Sequence, residues 1–322
     1  FEYQKSNQSF KALLSIASLK KLKYYVVFCA LLVYIFWPYL WLNPIKNFLI
    51  AFLNMSHYRW KGYSLLFGDY IYSFDTPWYF ALSWIAITTP LLYLCLCFWG
   101  VTGIVFQIVQ LKKQIFKHKE LLEKLMALSL FILPLLAIIV LKSVLYDTWR
   151  HVYFVYPFLL IVAMYGAQWI YEKLKSEMMK WASIALFTLL IAAELVKMVN
   201  AFPNEYVYFN ELVSDKNENI RYHYDMDYWG TTFKLDFEKI LAMDTRDTIK
   251  VTGNCYPAYS NYNLLKHIDP NCRLEYVLKE KDAHYYLTNY RFKPDDHDKQ
   301  QDKKVYGLRY RNSEILGVYK LR

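Results

Sequence analysis

Between two apolar runs, 126–144 and 152–170, the chain reads Tyr146-Asp-Thr-Trp-Arg-His-Val-Tyr-Phe-Val-Tyr-Pro157, a short joint carrying Asp147, Arg150 and His151. Each run is about long enough to cross a bilayer at roughly 1.5 Å per residue, so the joint must lie at one membrane surface. Charge near hydrocarbon costs on the order of 2.5–3.5 kcal/mol per group at the centre of a helix and less towards its ends. Groups kept at such a cost usually have work to do. A guanidinium offers anionic oxygens a planar fork of donors and is always charged, and an imidazole adds a hydrogen bond or a second positive charge. The plain structural use is that Asp147 and Arg150, three residues apart, pair with each other as an anchor at a helix end. Tyr146, Trp149, Tyr153 and Tyr156 serve either as an aromatic belt at the headgroup level or as the wall of a binding cleft.

Other groups with chemical potential lie on either side of this joint. His57, Arg59 and Lys61 form a second cationic cluster, suited to lipid headgroups or to guiding an anion, and Asp69 is the acid in the core of the same loop. Asp225, Asp227 and Trp229 sit early in the polar last third of the chain. Carboxylates two apart point the same way on a strand, where they could bind hydroxyls or a cation, or simply hold that part of the chain in place. Cys29, Cys95 and Cys97 lie in apolar runs and read as packing residues. Cys255 and Cys272 could pair in an oxidising compartment. There is no nucleotide-binding Gly-rich loop and no zinc-ligand spacing, so no cofactor is expected.

The elements that must position these groups follow from hydropathy. The chain is 56% hydrophobic, yet its mean hydropathy is only +0.09, so the apolar residues are segregated. Residues 1–23 read as a cytoplasmic or interfacial segment, and spans are expected at about 24–42, 77–111, 126–144, 152–170 and 181–199. The run 77–111 is read as one long helix, tilted or kinked near Pro90. Residues 45–76 read as an outer loop with a short interfacial helix. The net charge of +10 gathers in Lys20, Lys21 and Lys23, in Lys112 to Lys124 and in Lys173 to Lys180, beside the apolar runs. That is the distribution of cytoplasmic loops and argues against a nucleic-acid partner. Parity then places the Asp147–His151 joint and residues 203–322 outside. Residues 203–322, about 120 in number and able to bury a core, read as a small α/β or α+β soluble domain. A helix is expected over 231–243 and strands over 248–253, 273–277, 284–288, 305–310 and 315–319.

Several of these stretches resemble a known family. Trp37-Pro-Tyr-Leu-Trp-Leu-Asn-Pro44, the 55–68 loop, Pro77-Trp78 with Ile87-Thr-Thr-Pro90, the 146–157 joint, and Glu205-Tyr-Val-Tyr-Phe-Asn-Glu211 followed by Asp227-Tyr-Trp-Gly230 are similar to the later part of membrane glycosyltransferases of family 39. These are relatives of protein O-mannosyltransferases and the aminoarabinose transferase, with the GT-C fold. The resemblance implies a polytopic α-helical enzyme that moves a mannose-like sugar from a polyprenyl-phosphate carrier to a protein or glycolipid acceptor. The transfer would take place on the outer side of a membrane, here a bacterial cytoplasmic (inner) membrane. The family places its catalytic acid in a first outer loop and has more spans than are expected here, so the base is expected upstream of Phe1 and is assigned to no residue of this chain.

Under that resemblance Arg150 is expected to bind the leaving phosphate, with His151, His57 and Arg59 as further lipid-phosphate contacts. Tyr146, Asp147, Tyr153, Asp69, Asp227 and Trp229 are expected near the substrate. Two other readings of the residues remain: a transporter component, although transporters usually place charge at midplane depth on broken helices, and a noncatalytic membrane anchor displaying a binding domain.

Overall fold

The computed structural model describes residues 16–56, 60–213 and 219–322. The chain divides into two compact units. The first holds residues up to Trp60, Leu92–Val144 and His151–Ser183, and the second holds Lys61–Leu91, Leu145–Arg150 and Ile184–Arg322.

In the first unit, helix α1 runs Ile16–Phe36 and stops short of the expected end at residue 42. Pro38 lacks a backbone N–H and disfavours helix in the residue before it, and a 3-10 turn follows at Pro38–Leu40. After Lys23 the apolar part of α1 is only 24–36, about 20 Å of helix. Trp41 turns back to donate its indole N–H to Tyr34 O at 2.8 Å. Helix α2, Pro44–Ser56, is the short helix expected in the following loop, and Pro44 takes the first position, where a missing N–H costs nothing.

Four helical stretches among the described residues are long and apolar enough to cross a membrane: Leu91–Leu111, Lys119–Val140, Arg150–Lys173 and Glu177–Ala201. The run 77–111 is not one long helix. It divides into α3, Phe80–Thr88, and α4, Leu91–Leu111. Thr89 is extended, as the residue before Pro90 should be. Helix α3 is apolar because the second unit buries it: Trp84 is fully enclosed, with Phe80, Phe209 and Tyr224 around it at 6.0–6.3 Å. Asn210 fixes its end, donating to Ala86 O and Thr89 O at 2.6 Å each.

Helices α5, Lys119–Val140, and α6, Tyr156–Lys173, pack side by side. Helices α4 and α6 approach backbone to backbone where both chains carry glycine: a Cβ on Gly100 would lie 2.0 Å from Val162 O, and one on Gly166 1.9 Å from Leu96 O. Small residues allow such close approach in lipid. Trp99 and Trp169 stack beside the crossing at 5.7 Å. Helix α7, Glu177–Ala201, buries no residue of its own.

The second unit contains an antiparallel hairpin, β1 (Tyr63–Leu66) and β2 (Asp69–Tyr72). It turns on Phe67 and Gly68, both at positive φ, the pattern of a two-residue hairpin. Its main sheet has the order β4-β3-β5-β7-β6, with β3 Ile249–Gly253, β4 Leu274–Tyr276, β5 Tyr285–Thr288, β6 Lys304–Tyr310 and β7 Ser313–Lys320. Strand β3 runs parallel to β4 and β5, while β7 runs antiparallel to β5 and β6. Helix α8, Phe233–Met243, buries Phe233, Phe237 and Ile240, and α9, Tyr256–Ile268, connects β3 to β4. Ile249, Val251, Leu287, Leu316 and Val318 are enclosed in the core. Cys255 and Cys272 are unpaired.

Candidate functional site

The joint enters the second unit in a strained conformation. Asp147 and Thr148 both have positive φ, at 51° and 67°, which costs energy for residues with a side chain and persists only when the surroundings enforce it. Two contacts do so: the Asp147 N–H donates to Ser64 Oγ at 3.3 Å, and Trp149 is buried.

The outcome is a carboxylate shared by two guanidinium groups. Asp147 Oδ2 meets Arg150 Nη2 at 3.1 Å, the pairing expected from their spacing, while Oδ1 accepts from Arg291 Nη2. Burial pushes the Asp147 carboxyl up from its ordinary range, and the Arg291 and Arg150 charges pull against that rise. The Arg150 side chain keeps 25% of its surface. Its guanidinium lies 4.8 Å from the Tyr146 ring and 6.0 Å from the Trp229 ring, both within cation–π range. Arg150 Nε, Arg291 Nε and the Thr148 hydroxyl are buried without a hydrogen-bond partner among the described residues.

Arg291 reaches this place from the turn after β5, and Asn254 and Cys255 follow β3. The carboxyl ends of parallel strands are where open α/β sheets place their ligands. Asn289 Oδ1 accepts from Asn254 Nδ2 at 3.2 Å and from the Arg291 N–H at 3.3 Å, and Asn289 Nδ2 donates to Asp227 O at 2.7 Å. Arg291 Nη1 donates to Tyr228 O. Tyr290 and Phe292, on either side of Arg291, both have positive φ.

The two carboxylates Asp225 and Asp227 are not on a strand and hold different hydrogen-bond partners. Asp225 accepts the Leu65 N–H at 2.9 Å. Burial pushes it up to about 6, against the opposing pull of Arg291 and the Leu65 amide. Asp227 is 1% exposed and accepts from the Tyr206 and Thr232 hydroxyls and from the Thr231 N–H. Its oxygens therefore hold the segment together rather than open onto a cleft. Burial, then the Asp227 charge, pushes the Tyr206 phenol up, and burial pushes the Cys255 thiol up to about 12.

The structure thus brings together Tyr146, Asp147, Arg150 and Trp229 of the residues expected at the site. Asp227 stands beneath them through Asn289 and Arg291. Asp69 is exposed at the start of β2. His151 and Tyr153 are exposed and fall in the other compact unit. His57 and Arg59 lie outside the described residues. Arg291 is the group that sequence reading missed, and its available signal was a lone arginine just past a strand end. Among the described residues no cluster of His, Cys, Asp and Glu could hold a metal ion.

No protein-family model, no curated protein and no solved structure matches this chain.

Proposed function

We propose that the chain works in a membrane glycosyltransferase of the GT-C kind, which transfers a mannose-like sugar from a polyprenyl phosphate to a protein or glycolipid hydroxyl. The observation that carries this reading is the Arg150 guanidinium, a quarter exposed, set between the Tyr146 and Trp229 rings and steadied by Asp147. In the reaction the bond between the sugar anomeric carbon and the phosphate oxygen breaks, and the acceptor oxygen bonds to that carbon. The acceptor proton goes to a base that is not assigned to this chain, and the polyprenyl phosphate leaves with the electron pair. Negative charge grows on the phosphate as it leaves, so a donor fixed there stabilises the transition state more than the ground state.

Two further features support the reading. Counting the four long apolar helices as crossings gives 145–149 and the chain after 201 the same side, and residues from both belong to the same compact unit. In the helical unit, an apolar groove of about 590 Å³ is lined by Trp37, Tyr39, Phe48, Ala51, Phe52 and Asn54, a lining suited to a prenyl chain. The basic stretch 112–124 argues for a cytoplasmic connection between α4 and α5 and an extracytoplasmic sheet, and the family resemblance implies a bacterial inner membrane.

The test is turnover of a polyprenyl-phosphate sugar by the full-length protein with Arg150→Ala. The expected loss is about 2.7–4 kcal/mol of transition-state stabilisation, roughly a hundredfold to a thousandfold in rate. Unchanged turnover removes Arg150 from the site and the reading with it.

A further inference from the structure

The Asp147–Arg150 contact taken alone argues against a phosphate site. A carboxylate paired one-to-one with a guanidinium neutralises it and stands where an incoming anion would go. Arg291 changes this balance. It takes the other oxygen of Asp147, so one negative charge lies between two positive ones and the trio keeps a net positive charge. Arg291 is the better-held partner: its side chain is 9% exposed against 25% for Arg150. Its Nη1 is tied to Tyr228 O and its backbone N–H to Asn289. Asp225, the next acid, accepts the Leu65 N–H and makes no ion pair with either arginine among the described residues, although the Arg291 charge reaches it.

We propose, resting on the phosphate role given to Arg150, that Arg291 is the positioning residue of this site: by engaging Asp147 from the sheet side it leaves Arg150 with uncommitted positive charge for the phosphate of the lipid carrier. Arg291 need not touch the carrier. Its effect passes through Asp147, and the exposed quarter of the Arg150 side chain is what meets the anion. A salt bridge serving only as a fold anchor would be indifferent to which arginine remained. This arrangement requires both.

The experiment measures binding of a short-chain polyprenyl phosphate to the full-length protein in detergent, with inorganic phosphate as a competitor and thermal unfolding recorded for every variant. Arg150→Ala and Arg291→Gln are each expected to weaken binding about tenfold to a hundredfold. The double variant Arg291→Gln/Asp147→Asn is expected to recover most of that loss, because removing the carboxylate frees Arg150 again. Failure of the double variant to recover, with unfolding like that of Arg291→Gln, overturns the inference. Normal binding by Arg291→Gln beside weakened binding by Arg150→Ala overturns the inference but leaves the proposed function standing. Normal binding by Arg150→Ala overturns the phosphate role itself. Where Arg291→Gln does not fold, Asp147→Asn decides: binding at least as tight as wild type supports the role of Arg291, and a loss equal to that of Arg150→Ala overturns it.

Discussion

The indole N–H of Trp149 donates to the Thr88 hydroxyl at 2.9 Å, and Thr88 passes its own proton to Trp84 O at 2.6 Å. The joint is thereby tied to the last turn of α3 by a relay between two buried tryptophans. Trp149→Phe keeps most of the apolar volume and removes the donor. It should cost about 1–3 kcal/mol, as a buried hydrogen bond and its stranded acceptor do. A lowered unfolding midpoint in detergent checks this, and an unchanged midpoint would show the relay to be incidental.

Asp236 is fully enclosed in α8, and neither of its carboxyl oxygens has a hydrogen-bond partner among the described residues. Burial pushes it well above the ordinary carboxylate range, with Asp227 adding to the rise. The folded protein therefore holds a proton that the unfolded chain gives up. The contribution to stability is present in full below the unfolded value, about 3.9, and declines as pH rises towards the folded one. Asp236→Asn, which copies the protonated shape, should be more stable than wild type at neutral pH by about 1 kcal/mol or more and equal to it near pH 3. Parallel stability curves across that range would refute the assignment.

Glu314 behaves in the opposite sense. Burial works to raise it, but donors from Lys304, Arg309 and Tyr290 outweigh burial and bring it down to about 2, and Arg221 lies 3.3 Å away. Its stabilising contribution is present above the unfolded carboxylate range and is lost as pH falls towards about 2. Glu314→Gln should cost about 1.5–3 kcal/mol at neutral pH, because it removes the charge-assisted bonds from Lys304 and Tyr290 while Arg221 keeps Asp298, and the gap from wild type should close on acidification. Chemical denaturation at several pH values measures both.

The crossing of α4 and α6 admits no side chain at Gly100 or Gly166. Alanine at either should destabilise the helical unit by about 1–3 kcal/mol through overpacking. At Gly307 an added Cβ meets the flexible end of Lys304 at 3.2 Å and Leu316 O at 3.3 Å, tight but far from the overlap at the crossing, so alanine there should cost less. Equal effects at the three positions would contradict the close approach.

Strands β3 to β7 were legible because apolar alternation between turn residues is a local signal, and the buried face of α8 showed through Phe233, Phe237 and Ile240. Helix α9 was not, since Tyr259, Asn261, Tyr262 and Asn263 obscure its apolar face. The β1–β2 hairpin passed as a loop because each strand is four residues long. The run 77–111 misled because enclosure by protein and enclosure by lipid select the same residues. Asp147 and Arg150 could be paired from their spacing, but Arg291 lies 144 residues further on, and a contact of that span leaves no trace in local pattern.

The sheet-bearing unit draws on three separate lengths of chain, with stretches of the helical unit between them in sequence. Ser64, Asp147 and Arg291 meet only when all three are in place. During synthesis the hairpin and the joint are made first and must wait for Arg291. The arginine pair therefore forms only once residue 291 has been made, and a chain cut short of it would leave Asp147 with Arg150 alone.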